Sequence, residues 1–446
     1  MKKLFFFYFT ILFILFSCSK GSTENPEEPK SEEPDTEEPI TDEENTYFTI
    51  RVPEDYFSII TENWVVSHDV NNGNILDYAR LKNGSEITLK TNTSSLVTEH
   101  NISIVNVELR DSLNKYKITS YTSVEPNAIW QLGEDGLKYN YNVSPIGKLT
   151  FNAVNLDSPA SWILSNKYGT TLLASQSLTR SENLTDISID SLPVFQENRY
   201  LLSIYDVYGN GKYLFIDNLS NATTITVNSE QMKDFDKTIP LSIPEVGEYH
   251  VSVFGFEDTE EFAEQGGHIL ALIFNTVNDE IIADTLNVGY LDAFDKYITY
   301  FVYTKDNIKY SYRKYGDPPT GLSGTGVEGW SLEVIDSSVN NFQFNVISPK
   351  TFSQQSHFWS AFSDSEDVGS NYTDWTINQG NSYKTFYFKL PEEILTTYPQ
   401  MDIEGLNYQN STFHFNAYDY QEFLNASFAQ PNPEMLHDHE FYLISQ

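Results

Sequence analysis

Apolar and polar residues alternate with the two-residue period of half-buried strands in short runs along the chain, and one arrangement of such runs recurs. Phe48-Thr49-Ile50-Arg51-Val52 opens it, Asn63 to His68 follows, and a turn at Asp69-Val70-Asn71-Asn72-Gly73 leads into a strand from Asn74 to Leu81. The same order returns from Leu149 with Ser161-Trp162-Ile163, from Tyr249 with His268 to Phe274, and from Phe342 with Phe358-Trp359-Ser360. Opening strands at 48, 149, 249 and 342 give repeats of 101, 100 and 93 residues. The first unit reads as seven short strands with turn signals every 8 to 12 residues, the profile of a β-sandwich. The expected fold is all-β: a tandem array of about four immunoglobulin-like or transthyretin-like β-sandwiches at 47–148, 149–247, 248–340 and 341–446, the last with longer loops. Helix is expected only at Asp258–Gln265 and Pro391–Leu395.

Composition sharpens this picture. Aromatic residues make up 15% of the chain and favour strands, because flat side chains pack well on a pleated surface. The single cysteine excludes an intrachain disulfide framework and a Cys-based zinc site, so packing and sheet hydrogen bonds must hold the units together. A net charge of −36 repels phosphate backbones, which argues against a nucleic-acid partner.

The N-terminus carries an address. Lys2 and Lys3 precede an apolar run from Leu4 to Phe16 that is too short to span a bilayer and reads as a signal-peptide core over 1–17. It ends in Leu15-Phe16-Ser17-Cys18, which resembles the lipobox of bacterial lipoproteins, although Phe16 stands where a small residue is usual. The resemblance implies cleavage before Cys18 and acylation of that cysteine, palmitate included, as a membrane anchor. Residues 18–46 then repeat an acidic, proline-bearing pentad (Glu27-Glu28-Pro29-Lys30-Ser31 and its copies), expected to be a disordered tether. An acidic tract after a lipidated cysteine resembles the export signal of surface-exposed lipoproteins in the Bacteroidota, which implies the outer face of the outer membrane.

Several constellations invite chemistry. Gly324-Thr325-Gly326-Val327-Glu328-Gly329 matches a dinucleotide fingerprint in letters only, since a strand rather than a helix is expected after it. The run Asp206 to Gly211 has the look of an EF-hand loop but reads as a hairpin turn around Asn210-Gly211. Asp364, Glu366 and Asp367, with Asp374 nearby, crowd carboxylates in a loop of the fourth unit; a solvated surface and a Ca²⁺ site both stay open. His437-Asp438-His439 offers half a metal site or a coincidence. Asp111-Ser112-Leu113, Asp190-Ser191-Leu192 and Asp284-Thr285-Leu286 resemble the O-glycosylation acceptor of exported proteins in the same bacterial group, on Ser112, Ser191 and Thr285. Trp64 and Trp162 occupy equivalent positions on strands expected to be buried, whereas Tyr372 and Trp375 are the aromatics expected to be exposed for stacking on a sugar.

Three functions compete. The first is a non-catalytic surface lipoprotein that captures a glycan or protein through the loops of the fourth unit. The second is a structural spacer or accessory subunit of an outer-membrane assembly, with the first three units as a rod. The third is a secreted hydrolase. They predict, in turn, an exposed aromatic patch, large apolar contacts between units, and a deep pocket with convergent carboxylates.

Overall fold

A computed structural model of the chain describes residues 45–58, 60–91, 99–110, 113–133, 144–157, 161–166, 171–173, 178–180, 184–195, 199–217, 223–243, 248–256, 271–278, 285–323, 327–365, 369–382, 388–429 and 438–445. Strands dominate, arranged in several sheets. The α-helices among the described residues are Glu392–Thr397, which starts one residue after the Pro391 expected to open it and runs two residues past Leu395, and Tyr420–Leu424, which runs on into a π-turn at Asn425–Ala429. The expected helix at Asp258–Gln265 lies outside the described residues.

In the first unit the strands are Asn45–Arg51, Thr61–Asp69, Ile75–Leu81, Glu86–Thr91, His100–Arg110, Leu113–Val124 and Ala128–Gln131. The first lies between the fourth and seventh, parallel to the seventh from Phe48↔Ala128 to Arg51↔Gln131; the others run in the order third, second, fifth, sixth. Phe48, Ile50 and Trp130 from the small sheet meet Val65 and Ile102 from the large one in a buried core, because every second side chain of each strand points inward. The second unit repeats this order around Gly147–Asp157, which is antiparallel to Leu184–Val194 and parallel to Thr224–Asn228, and the third repeats it around Lys237–Ser242.

Two of the expected opening strands are misplaced. Tyr249 lies in Glu248–Phe256, the second strand of its unit, and Phe342 immediately precedes Gln343–Ile347, which pairs back on the true opening strand Ser331–Asp336. The opening strands begin at 45, 147, 237 and 331, spaced 102, 90 and 94 residues. Lys237–Ser242 is disguised in the sequence by Pro240, which has no N–H to give to a ladder and makes the stretch read as a break.

The large sheets of the first, third and fourth units are fused into one sheet of twelve strands. Gly369–Gly380 of the fourth unit runs parallel to Leu113–Val124 of the first, in register from Ser370↔Leu113 to Asn378↔Tyr121. On the fourth unit's other side, His439–Ser445 pairs antiparallel with Ile308–Gly316 of the third. The rod of consecutive units is therefore not what forms: the first unit pairs with the fourth. This seam is apolar on one face, where Trp64, Tyr116 and Ile118 join Trp359, Trp375 and Ile377 under Phe388, Ile394 and Tyr398. The other face is sealed at one end by Tyr420, Leu424 and Phe428, with Phe428 stacked on Trp130 at 4.1 Å.

The second unit docks on the third. The Tyr205 hydroxyl donates to the Asn275 carbonyl and its ring stacks on Phe274 at 4.3 Å, which occupies backbone polar groups of an edge strand. In the turn that follows, the Tyr208 carbonyl accepts from Asn287 N at 2.7 Å and Asn210 Oδ1 accepts from Asn287 Nδ2 at 2.8 Å. Gly209 permits this approach: its φ is +81°, and a Cβ there would collide with the Asn287 carbonyl oxygen. Gly209→Ala is expected to cost about 1–3 kcal/mol at this joint. Calorimetry would register it as a lowered melting transition of the second unit; an unchanged melting profile would mean that the turn does not hold the joint.

Candidate ligand-binding surfaces of the fourth unit

The residues singled out in the sequence scatter. Cys18, Ser112, Glu366, Asp367 and His437 lie outside the described residues. Asp364 is exposed and accepts from Ser370 Oγ at 3.1 Å, and among the described residues no three His, Cys, Asp or Glu side chains group as metal ligands. Asp206 closes its own turn, accepting from Tyr208 N at 2.8 Å and Asn210 N at 2.9 Å, as a hairpin loop should. Asp438 is held by Lys314 at 3.1 Å and by Tyr315 N, while the His439 ring lies against Phe441. Ser191 is exposed where the pairing of its strand with Gly147–Asp157 slips register, and Thr285 is exposed at the start of its strand.

Tyr372 and Trp375 are not loop residues, and they part company. Both lie on Gly369–Gly380, but an odd spacing sends them to opposite faces of the sheet. Trp375 is 0% exposed in the seam core and donates from Nε1 to Ser120 Oγ at 2.9 Å, so it cannot stack on a ligand. Tyr372 is 38% exposed and sits directly across from Phe362, itself 57% exposed, with ring centroids 4.8 Å apart. Lys115 is its neighbour across the seam, and Ser360 Oγ donates to Asp374 one step along the same face. The result is an aromatic pair set among polar groups.

At the Gly380 end of the same strand a cleft of about 620 Å³ opens between the fourth and first units. Thr351 to Ser353, Gly380 to Ser382 and Asn416 to Gln421 supply its walls from the fourth unit, and Glu99, Thr122 and Ser123 complete it from the first. Those walls are braced. Asp419 caps the helix Tyr420–Leu424, accepting from Glu422 N at 2.9 Å while Glu422 Oε2 accepts from Asp419 N at 2.8 Å. The Tyr420 hydroxyl donates to the Asn378 carbonyl at 2.8 Å, and Gln421 Nε2 donates to the Ser123 carbonyl at 2.7 Å, tying the loop to both sides of the seam. Burial, and after it the charge of Asp438, pushes the Tyr418 phenol up to about 12, so it stays a donor at neutral pH. Hydroxyl and amide side chains predominate, Phe352 and Tyr418 add partly exposed rings, Glu99 and Asp419 add carboxylates, and among the described residues neither lysine nor arginine lines the cleft. Such a lining suits an uncharged ligand rich in hydroxyls.

Two chains of buried polar side chains lie beneath the seam. His68 Nε2 is 2.9 Å from Ser103 Oγ, which is 2.7 Å from Ser120 Oγ, the acceptor of Trp375. His357 Nδ1 is 2.7 Å from Ser411 Oγ and its Nε2 is 2.9 Å from Gln379 Nε2. Burial lowers both imidazoles to about 3, keeping them neutral; both are sealed from solvent and serve the packing.

The cleft escapes sequence reading because its walls come from stretches as far apart as Glu99 and Gln421, brought together by a seam that no local pattern announces. One signal does exist. The strands Asn407–His414 and His439–Ser445 are separated by a long excursion, where the corresponding strands of the third unit are joined by the two-residue turn Asp306-Asn307.

No protein-family model and no curated protein matches the chain. Among solved structures it is similar to a mutant Salmonella alpha-2-macroglobulin (7% identity, 86% of this chain, TM-score 0.13) and to a tetra-tandem repeat in the extending region of a large adhesion protein (8% identity, 84% of this chain and 95% of that chain, TM-score 0.11). It is also similar to the P pilus usher translocation pore (12% identity, 81% of this chain and 67% of that chain, TM-score 0.13). The chain spans 27% of the alpha-2-macroglobulin. Likenesses this faint assign neither fold nor role.

Proposed function

We propose that the chain is a non-catalytic surface lipoprotein, anchored to the outer membrane through acylated Cys18 and an acidic tether, that captures a glycan in the cleft between its fourth and first units. Its body is read as four β-sandwiches in tandem. The strand order supports the transthyretin-like alternative: an immunoglobulin domain groups its first, second, fifth and fourth strands in one sheet, whereas here the first lies between the fourth and seventh. The observation that carries the function is the cleft itself, lined mostly by hydroxyl and amide groups, with the carboxylates Glu99 and Asp419 among them, on braced loops of the fourth unit and an edge of the first.

A protein ligand is the second reading, favoured by the exposed pair Phe362 and Tyr372. The two separate in one experiment on the full mature chain. On a glycan array and in titration of the glycan it selects, Thr351→Ala with Asn381→Ala is expected to weaken capture roughly 10- to 100-fold, at ~1 kcal/mol for each hydrogen bond lost. Tyr372→Ala leaves that affinity unchanged. A chain that retains no glycan, or that binds one equally well without Thr351 and Asn381, overturns the cleft reading.

A further inference from the structure

In each of the first three units the opening strand is flanked on both edges. Asn45–Arg51 lies between antiparallel Glu86–Thr91 and parallel Ala128–Gln131, Gly147–Asp157 between antiparallel Leu184–Val194 and parallel Thr224–Asn228, and Lys237–Ser242 between antiparallel Thr285–Tyr290 and parallel Leu322–Ser323. The parallel neighbour comes from late in the same unit and lays an apolar side chain over the core: Trp130, Val227 and Leu322 are each buried. The fourth unit departs from this plan. Its opening strand Ser331–Asp336 pairs with Gln343–Ile347, and among the described residues no parallel strand joins it.

Backbone and side chains both register the gap. Along the second edge of Ser331–Asp336 every other residue turns its N–H and C=O away from the hairpin, a row of groups that in the other units is taken up by the parallel neighbour. Leu332 and Val334 point to the core yet stay partly exposed, whereas their counterparts Phe48 and Ile50 in the first unit and Ile239 and Leu241 in the third are buried. On the outer face Ile335 is 59% and Ile347 66% exposed. A two-stranded hairpin is the least stable form of sheet, and a third strand would both satisfy the row and cover the half-sealed side chains.

We infer that this edge of the fourth unit is a strand-acceptor site, to which an extended segment of a partner protein adds as a third, parallel strand. The segment carries aliphatic side chains at alternate positions, set against Leu332 and Val334, and lysine or arginine on the outward positions between them. Charge selects that partner. Ser331–Asp336 holds Glu333 and Asp336 and no basic residue, and the exposed Glu333 carboxylate accepts from Asn345 Nδ2 at 3.1 Å without an ion pair among the described residues. A second copy of a chain of net charge −36 would bring acid against acid, which a basic strand reverses. The site lies on the small sheet, apart from the cleft and from the Phe362 and Tyr372 pair, and does not depend on the glycan reading.

The probe is a lysine-flanked peptide copying Thr224 to Asn228, the closing strand of the second unit, and the readout is backbone hydrogen exchange of the full mature chain. Amides of Ser331–Asp336 are expected to exchange faster than those of Asn45–Arg51 in the free chain and to slow by about tenfold or more at saturating peptide, while Asn45–Arg51 is unchanged. The same peptide N-methylated along its backbone, which keeps the side chains and removes the donors, is expected to give no protection, and Glu333→Lys to weaken binding of the lysine-flanked peptide roughly three- to tenfold. No slowing at Ser331–Asp336, equal slowing by the N-methylated peptide, or an affinity indifferent to Glu333→Lys overturns the site. Protection already present in the free chain also overturns it, assigning the edge to a second copy where it rises with protein concentration and to another segment of the same chain where it does not.

Discussion

Trp375→Ala is expected to lower the free energy of unfolding by about 3–5 kcal/mol, the range for emptying a large aromatic site in a close-packed core. The indole is fully buried among Tyr116, Ile118, Trp359 and Phe388, so its removal leaves a cavity against both units at once. It also strips Ser120 Oγ of a donor at 2.9 Å, and buried polar groups that lose a partner add to the loss. Tyr372→Ala, three positions away on the same strand, is expected to change stability by less than about 0.5 kcal/mol, because its ring already meets solvent. Urea unfolding of the two variants, followed by circular dichroism, measures the contrast. Equal losses would mean that the two side chains share a face, and the parallel register of the seam would have to be abandoned.

The second large effect is produced by acid. His68 and His357 are lowered to about 3 and His100 to about 4, in each case chiefly by burial, against an ordinary value near 6.5. A depressed imidazole binds its proton in the unfolded chain before it does so in the folded one. Its contribution is therefore complete above about pH 6.5 and is lost as the pH falls toward the folded value. A tenfold difference in proton affinity between the folded and unfolded chain is worth ~1.4 kcal/mol, so each of these rings contributes on the order of several kcal/mol, and together they rival the 5–15 kcal/mol of a whole domain. Unfolding is expected between about pH 4 and 5. His357→Gln, which keeps hydrogen-bonding groups but cannot titrate, is expected to flatten the dependence of stability on pH by about one proton, or ~1.4 kcal/mol per pH unit. Denaturant titrations from pH 4.5 to 6.5 would detect it, and an identical slope in the variant would place His357 in contact with water.

Strand content and the burial of Trp64 and Trp162 could be read from alternation alone, since each unit presents one face to a core. The phase of the repeat could not. Tyr249-His250-Val251-Ser252-Val253 alternates as cleanly as any opening strand, yet its polar members His250 and Ser252 are the outward face of a second strand, while the real opener is hidden by Pro240. Trp375 misled for a related reason. Its neighbours Asp374, Thr376 and Asn378 make the stretch look like a polar loop, but they are one side of a strand whose other side, Thr373, Trp375 and Ile377, is buried by a unit more than two hundred residues upstream. The cleft inherits this difficulty, because Thr122 and Ser123 reach it only when that distant strand is in place.

The parallel seam also sets a timetable. Leu113–Val124 offers a row of unpaired N–H and C=O groups along its outer edge until Gly369–Gly380 exists to take them, 257 positions later at the pair Asn114 and Asn371. At the usual 5–20 residues per second of synthesis that is a delay of roughly 13 to 50 s during which a nascent chain carries a sticky border. Long-range pairing of this kind is slow to form and open to the wrong partner, another nascent copy above all. Protection of that border until Gly369–Gly380 has been made is thus a demand that the architecture places on its own folding.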